Sequence, residues 1–575
     1  MIEDVYEPLA RFRDEFRQKF AAIARDKFAE LTRRAGIDVG ANRALVKLIK
    51  SLHRQASSAR TRKWCYGLLL ALGFIGAAAA VIGAIALGES SPEEVGWLVL
   101  SAVAGVALGI VMIPLFSNAS GALKAIERRI DAKMTEAWRQ MEPLNRLYTW
   151  DVTPGLIEAT VPRLAFDPYF TVARLDSLRS HFGWNDGFND GKSITFAQSG
   201  EINGNPFVFG QYLDMRWGEK TYYGYKEISW TEWEEDSEGR RHRVTRHETL
   251  TASVTKPIPE YGEHKLLIYG NDAAPNLSFT HRPSGFTGTE GGIFSAIRKG
   301  WRLNRLKAYS RNLDDDSNFT LMSNQEFETW FHTKDRDDEV EFRLLFTPVA
   351  QTQMLGLMKD TSVGYGDDFT FFKRKRINML LSRHLDEATI DTDPSRFRNW
   401  DYDAAFAYFM KFNERYFKDA YFSLAPLLAI PLYQQTRMHE DIWKGVVGRD
   451  PASFWEHEAM ANYYGDTNFR HPYSITRNIL KTRLVRREGG ESTVAVTAYG
   501  YRGEDRVDYE SVYGGDGNWH DVAVHWTEYL PVERTSEMCL SEEGAATDDF
   551  RARAQAASAR AFRRSILSFL KVQNA

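Results

Sequence analysis

At 575 residues, with 43% hydrophobic and 13% aromatic residues, the chain has the apolar content for several buried cores, about three domains of roughly 150 residues beside any membrane-crossing part. A formal net charge of -4 lacks the basic footprint of a general nucleic-acid binder, so nucleic acid is not an expected partner. Two cysteines, Cys65 and Cys539, are too few and too far apart for a disulfide framework or a cysteine metal site, and no cofactor is expected.

Residues 1–63 are expected to form cytosolic helices. The first is marked by Val5, Leu9, Phe12, Phe16, Phe20 and Ile23 at helical spacing, with Arg11, Arg13, Arg17 and Arg25 interleaved. Its apolar stripe suits packing on the rest of the protein, and a seat on an anionic membrane surface is the sharper alternative. Leu45, Leu48 and Leu52 then lead into an apolar run from Trp64 to Leu87, and a second run extends from Val95 to Phe116. Each run is long enough to cross hydrocarbon and has no charged residue inside, so residues 64–116 predict a two-helix transmembrane hairpin. Arg43, Lys47, Lys50, Arg54, Arg60, Arg62 and Lys63 precede it, Lys124, Arg128, Arg129 and Lys133 follow it, and the turn between carries Glu89, Glu93 and Glu94. The positive-inside rule places both termini in the cytosol and the protein in the inner (plasma) membrane, with the lipid bilayer as its first partner.

Small residues recur at four-residue spacing in both spans, Gly76, Ala80 and Ala84 in the first and Ser101, Gly105 and Gly109 in the second. Such ridges allow close helix approach in lipid, either within the hairpin or between copies in a homo-oligomer. A pore of many hairpins is the less supported alternative, because no polar residue marks an ion path inside the spans. Residues 117–150, with Leu123, Ile126, Ile130, Met134, Trp138 and Met141 in phase, predict a helical stalk.

Beyond Trp150 the pattern becomes strand-rich, and residues 151–395 predict an α+β cytosolic domain. Pro206 to Trp217 and Tyr222 to Trp233 read as two strands joined by a Gly-Glu-Lys turn, followed by strands Thr249 to Lys256 and Lys265 to Tyr269. Ser323 and Glu326 have capping-box spacing for a helix over 323–332. A strand Glu341 to Phe346, a helix through Met354, Leu357 and Met358, and a strand Phe369 to Leu381 complete the domain.

Residues 396–575 predict a second α+β module. It opens with a helix Tyr402 to Phe417 and an apolar run Ala420 to Tyr433, which Pro426 and Pro431 make too broken to span a membrane. Strands Ser492 to Tyr501, Val507 to Tyr513 and Val522 to Leu530 follow, and a final helix is expected from about Ser541 to Lys571.

Several stretches resemble the bacterial two-transmembrane-helix family catalogued as domain of unknown function 3137. They are Glu201-Ile-Asn-Gly-Asn-Pro-Phe-Val-Phe, the strand Leu250 to Pro257, the segment Phe327 to Leu345 through Phe331, Asp335, Glu341 and Arg343, and Phe346-Thr347-Pro348 with the helix and strand after it. The resemblance covers about residues 155–390 and implies a two-helix anchor with a cytosolic domain, but no activity. The extension after residue 395 departs from it.

No motif fixes a chemistry. Thr361-Ser-Val-Gly-Tyr-Gly-Asp367 reads like a potassium filter but lies far from both spans, so a Gly-rich turn before a strand is expected. His439-Glu440 and His457-Glu458 are half zinc-protease motifs, with Trp443 and Ala461 where the second histidine belongs. His520, Asp521, His525 and Glu528 read as surface polar residues, and Asp314-Asp-Asp316 and Asp335 to Glu339 as solvated loops without calcium-loop spacing. The expectation is a membrane-anchored interaction or sensing module with an unidentified protein partner. The alternatives are an enzyme whose site assembles from distant residues and a pore or transport component.

Overall fold

The structure, a computed structural model, describes residues 7–87, 92–235, 240–286, 302, 320–437 and 450–571. It is α+β, with two long apolar helices and two antiparallel sheets of seven and five strands. The chain divides into two compact units, one comprising Met1–Phe20, Trp150–Thr392 and Glu414–Ala575, the other Ala21–Thr149 and Asp393–Asn413. Both sheets lie in the first unit, so the expected cut near residue 395 into successive α+β modules is replaced by one interleaved body.

In the helical unit, Val39–Leu87 and Pro92–Asn145 run as antiparallel partners. At their base Leu52, Ala56 and Ala59 pack on Leu123 and Ile130. Higher up the backbones touch: a Cβ on Gly73 would lie 2.8 Å from the Gly105 carbonyl, and one on Gly105 would lie 2.7 Å from the Gly73 carbonyl. Of the expected ridge residues, Ala80 and Gly109 are buried, Ala84 and Gly105 are half-buried, and Gly76 and Ser101 are exposed. The first ridge is therefore shifted to Gly73, Ala77 and Ala80, one helical turn being 3.6 residues rather than four, so a strict four-residue row drifts off the contact line. Side-chain amides clamp the returning segment: Asn42 accepts from the Tyr402 amide at 3.1 Å and donates to the Trp400 carbonyl at 3.0 Å. Asn145 and Asn399 exchange a matching pair of bonds at 3.1 Å each.

The seven-stranded sheet contains β1 (Leu164–Phe166), β2 (Lys192–Ile202), β3 (Asn205–Glu235), β4 (Arg241–Gly270), β5 (Ser278–His281), β6 (Phe369–Arg374) and β7 (Ile377–Ser382), in the order β1-β2-β3-β4-β7-β6-β5. The other sheet contains β8 (Ile479–Glu488), β9 (Glu491–Tyr513), β10 (Trp519–Glu542), β11 (Arg560–Arg563) and β12 (Ile566–Leu570), in the order β11-β12-β10-β9-β8. The turn between β2 and β3 is Asn203-Gly204, and that between β8 and β9 is Gly489-Gly490. Both residues of each turn have positive φ, as a two-residue hairpin turn matched to strand twist requires.

The four strands expected between Pro206 and Tyr269 are two, β3 and β4, of 31 and 30 residues. The register runs unbroken through Gly218, which faces Ile258, so the predicted Gly-Glu-Lys turn is ladder. A two-stranded ribbon is marginal alone. Here the outer part of β3–β4 packs face to face on the ribbon β9–β10, where Ile228, Leu250, Ala252 and Val254 bury against Val522 and Val524. Gly224 permits the approach, since a Cβ there would run into the Ala523 carbonyl.

Several further element assignments differ from the sequence expectations. Glu341 to Phe346 is not a strand but belongs to the helix Glu339–Leu345, because Asp338 accepts from the Glu341 amide as N-cap and Phe342 and Leu345 share the buried face. The preceding helix is Gln325–Phe331, capped by Asn324 rather than Ser323. Phe369 to Leu381 is a hairpin turning at Lys375, which has φ 56°. The expected helix Ser541 to Lys571 is instead the end of β10, a short helix Asp548–Ala556, and the hairpin β11–β12. The helix starting at Tyr402 continues through Pro426 to Leu428, and the apolar run after it is buried, with Tyr433 donating to Asn378 at 2.7 Å. The N-terminal Phe12, Phe16 and Phe20 bury against Phe417, Tyr421 and Phe422 of that same helix.

Gly224→Ala is expected to lower stability by about 1–3 kcal/mol, the usual effect of overpacking, because the clash is with backbone. Gly356→Ala, mid-helix with nothing near its would-be Cβ, is expected to raise it by about 0.5–1 kcal/mol. Thermal unfolding of the full chain checks both, and a neutral Gly224→Ala would contradict the ribbon packing.

Candidate functional site

The buried helix Phe454–Tyr464 joins the two sheets. Trp455 enters the core formed by Phe170, Ile194, Val208 and Leu266, whereas Met460 and Ala461 enter the core of Leu480, Val494 and Leu540. Its polar residues are buried too. Glu456 receives the Phe170 amide at 2.9 Å and the Arg564 guanidinium at 2.8 Å. Glu458 receives the Ile194 amide at 2.9 Å and forms an ion pair with Lys481 at 2.8 Å. Burial raises the Glu458 carboxyl above its ordinary pKa, against the pull of Lys481. Asn462, near the end of the helix, donates to Ser193 Oγ at 2.7 Å and to the Ile194 carbonyl at 2.9 Å.

These bonds fix a β-bulge. Ile194 pairs with Tyr212 and Phe196 with Gln211, leaving Thr195 as the extra residue in β2. A bulge re-aims a side chain, and bulges cluster beside functional sites. Thr195 lines a polar cleft of about 370 Å³ together with Asn462, Tyr463, Asp391, Asp466 and Arg563. Two donors there have no hydrogen-bond partner among the described residues, Thr195 Oγ1 and Arg563 Nε. Arg563 is 2% exposed, with its guanidinium 5.5 Å from the Trp150 ring, 5.3 Å from Phe196 and 6.0 Å from Tyr463. Burial pulls its pKa below the ordinary value, with Glu456 and Asp391 acting in the opposite direction.

Other cleft residues are already engaged. Glu263 pairs with Arg477 at 2.7 Å, and Asp466 accepts from the Asn478 amide at 3.1 Å. Among the described residues the lining contains no histidine or cysteine. Among the described residues no group of three or more His, Cys, Asp or Glu is placed to hold a metal ion. The arrangement suits recognition of a small, oxygen-bearing polar molecule, with Arg563 and Thr195 as donors and the exposed Tyr463 ring beside them. No sequence motif marks it, because its residues come from β2, the helix Phe454–Tyr464 and the last hairpin; the bulge and the buried arginine appear only in three dimensions.

The sequence candidates lie elsewhere or serve structure. His457 is buried, and its Nε2 has no hydrogen-bond partner among the described residues. His439-Glu440 and Asp314 to Asp316 lie outside the described residues. His520 bonds Asp516 at 2.9 Å, His525 is exposed, and Glu528 pairs with Arg506 at 2.7 Å. The acidic run at 335 is not a solvated loop. Asp335 and Asp337 accept from the backbone of edge strand β5 at Thr280 (2.9 Å) and Ser278 (2.6 Å), and Glu339 takes Arg336 at 2.6 Å, which blunts the edge. The filter-like segment is a turn before β6. Asp360 accepts from the Gly364 amide at 2.7 Å, Tyr365 stacks on His384 at 4.2 Å, and Asp367 receives His281 at 2.8 Å.

No family model, curated protein or solved structure matches this chain.

Burial holds the His457 pKa down to about 4, while the unfolded chain keeps about 6.5. Between those values the unfolded state binds more protons, so stability is lost as pH falls from about 6.5 to about 4, by up to roughly 3 kcal/mol. His457→Leu should remove that part of the acid sensitivity. Denaturation of the full chain across that range tests this, and an unchanged slope would refute the assignment.

Proposed function

We propose that this chain is a non-catalytic interaction or sensing module, held to the cytosolic face of a bacterial inner membrane by its helical hairpin, and that the Thr195–Arg563 cleft receives its small ligand. The observation that carries the anchor is the apolar surface of the two long helices, which are long and apolar enough to cross a membrane. Leu72, Ile75, Ile82, Ile85, Trp97, Leu100, Val103 and Ile110 are 55–75% exposed along them, a belt far larger than water tolerates. The asymmetry of basic flanks and acidic turn supports both termini facing the cytosol. The likeness of residues 155–390 to the two-transmembrane-helix family belongs to the same proposal, as do assembly into a homo-oligomer and an unidentified protein partner. The cleft supports a sensing role because a buried guanidinium with one unused donor gains more from pairing than a solvated one does.

A second reading, an enzyme with a site assembled from distant residues, draws on the convergence of Asp391, Asp466 and Glu263 on one cleft.

In a Cys65→Ser background, Glu93→Cys should react with a membrane-impermeant maleimide on intact cells, and Arg54→Cys only after the cells are opened; the reverse pattern would overturn the topology. A panel of polar metabolites is then screened by thermal shift on the full-length protein. A ligand of this cleft should bind about tenfold more weakly to Thr195→Val, the size expected for one lost hydrogen bond. Equal binding by the variant would remove the cleft from the proposal, and conversion of the ligand would favour the second reading.

A further inference from the structure

We propose that the base of the hairpin carries a binding site for one anionic phospholipid. The inference rests on the reading that the hairpin spans a membrane. Where the first apolar run begins, at Trp64, and the second ends, at Phe116, the two helices leave a groove of about 610 Å³ between them. Arg60, Lys63 and Lys124 line it at one end, and Gly67, Leu68 and Phe116 at the other. Gly67 holds it open, because a Cβ there would already sit 3.2 Å from the Phe116 ring.

The charges are unbalanced. Glu127, the one carboxylate among the described residues of the lining, is taken by Arg60 at 3.2 Å. Lys63 and Lys124 have no carboxylate partner among the described residues; the Lys63 ammonium lies 5.7 Å from the Phe116 ring centroid, a weak cation–π contact that leaves its donors free. Two unneutralised ammonium groups therefore face a groove whose other end is apolar. Trp64, 66% exposed at the same level, is the residue type that seats at a bilayer interface.

A phospholipid matches both ends, with the phosphate on the lysines and the first acyl segment along Gly67, Leu68 and Phe116. A zwitterionic headgroup carries its own cation and cancels the lysines' advantage, whereas a phosphatidylglycerol-type headgroup leaves a net negative charge. Basic pockets between membrane helices on the cytosolic side are the places where such headgroups are held. A free phosphate would use the lysines but not the apolar end.

The test uses the full-length protein in nanodiscs of phosphatidylcholine alone or mixed with phosphatidylglycerol, with retained lipid measured by native mass spectrometry. Wild type should retain one phosphatidylglycerol in preference to phosphatidylcholine. At roughly fivefold per cation, Lys63→Gln with Lys124→Gln should weaken retention about twentyfold or more. Arg33→Gln with Arg139→Gln, an equal charge loss away from the groove, should leave it unchanged. Gly67→Leu, which fills the groove without changing charge, should also release the lipid. Equal retention by the double-lysine variant, no preference between the two lipids, or full competition by inorganic phosphate would each overturn the site. Wild-type protein missing from the membrane fraction of cells would overturn the anchor itself, and with it the site.

Discussion

Two carboxylates in a protein interior set the terms for the sheet unit. Glu456 and Glu458 are 1% and 0% exposed, and neither is tolerable as a charge without a cation and hydrogen-bond donors beside it. Glu456 draws Arg564 from the last hairpin and the Phe170 amide from before β2, and Glu458 draws Lys481 from β8 and the Ile194 amide from β2. Each carboxylate thus ties the seven-stranded sheet to the five-stranded one through one short helix. Apolar packing supplies most of the stability of both cores, but it is non-directional. The ion pairs fix which strand of one sheet meets which strand of the other, because leaving either carboxylate unpaired would cost several kcal/mol.

The same constraint explains the turn that carries the cleft's arginine. Arg564 and Ser565 both have positive φ, at 46° and 60°, a conformation that glycine or asparagine adopts readily and these residues do not. The hairpin β11–β12 accepts this because Arg564 at that position reaches Glu456 and the Ala197 carbonyl. Its neighbour Arg563 is carried into the aromatic enclosure of Trp150, Phe196 and Tyr463. The ribbons follow another rule, that of free edges. Pro257 and Pro259 alternate on β4 opposite Glu219 and Trp217, in a stretch where β4 pairs with β3 alone, so both missing donors fall on the unpaired edge. That edge offers less to another chain's strand.

What the sequence made legible was whatever depends on local pattern. The apolar runs, the stalk periodicity and the helix through Met354 need only neighbours along the chain, and they stand as helices. The Asn203-Gly204 turn, whose residue types match its geometry, carries a local signal of the same kind, though no turn was expected there. The misread places are those where a distant partner overrides local signals. Gly218 looks like a turn because isolated ribbons rarely reach 31 residues, and only the second ribbon stacked on the first makes so long a strand stable. The last hairpin looked helical because its turn is Arg564-Ser565, held by Glu456 a hundred residues earlier. The cleft was illegible for the same reason. A bulge is a mismatch between two strands, and neither strand shows it alone.

The cleft's chemistry follows from this over-determination. Arg563 would normally be drawn toward water, but the turn, its own Nη1 contact with Glu456 at 3.5 Å and three aromatic rings hold it inside with Nε unpartnered among the described residues. The desolvation of that donor is already built into the folded state, so a ligand oxygen reaching it encounters little further ordering or loss of water at the protein side. Thr195 is fixed in the same way, by Asn462 holding Ser193 and Ile194 immediately before the bulge. Two donors immobilised by the elements that join the sheets would couple any occupancy of the cleft to the integrity of the joint. A molecule that paired with both would stabilise the sheet unit as a whole, and loosening the joint would release it.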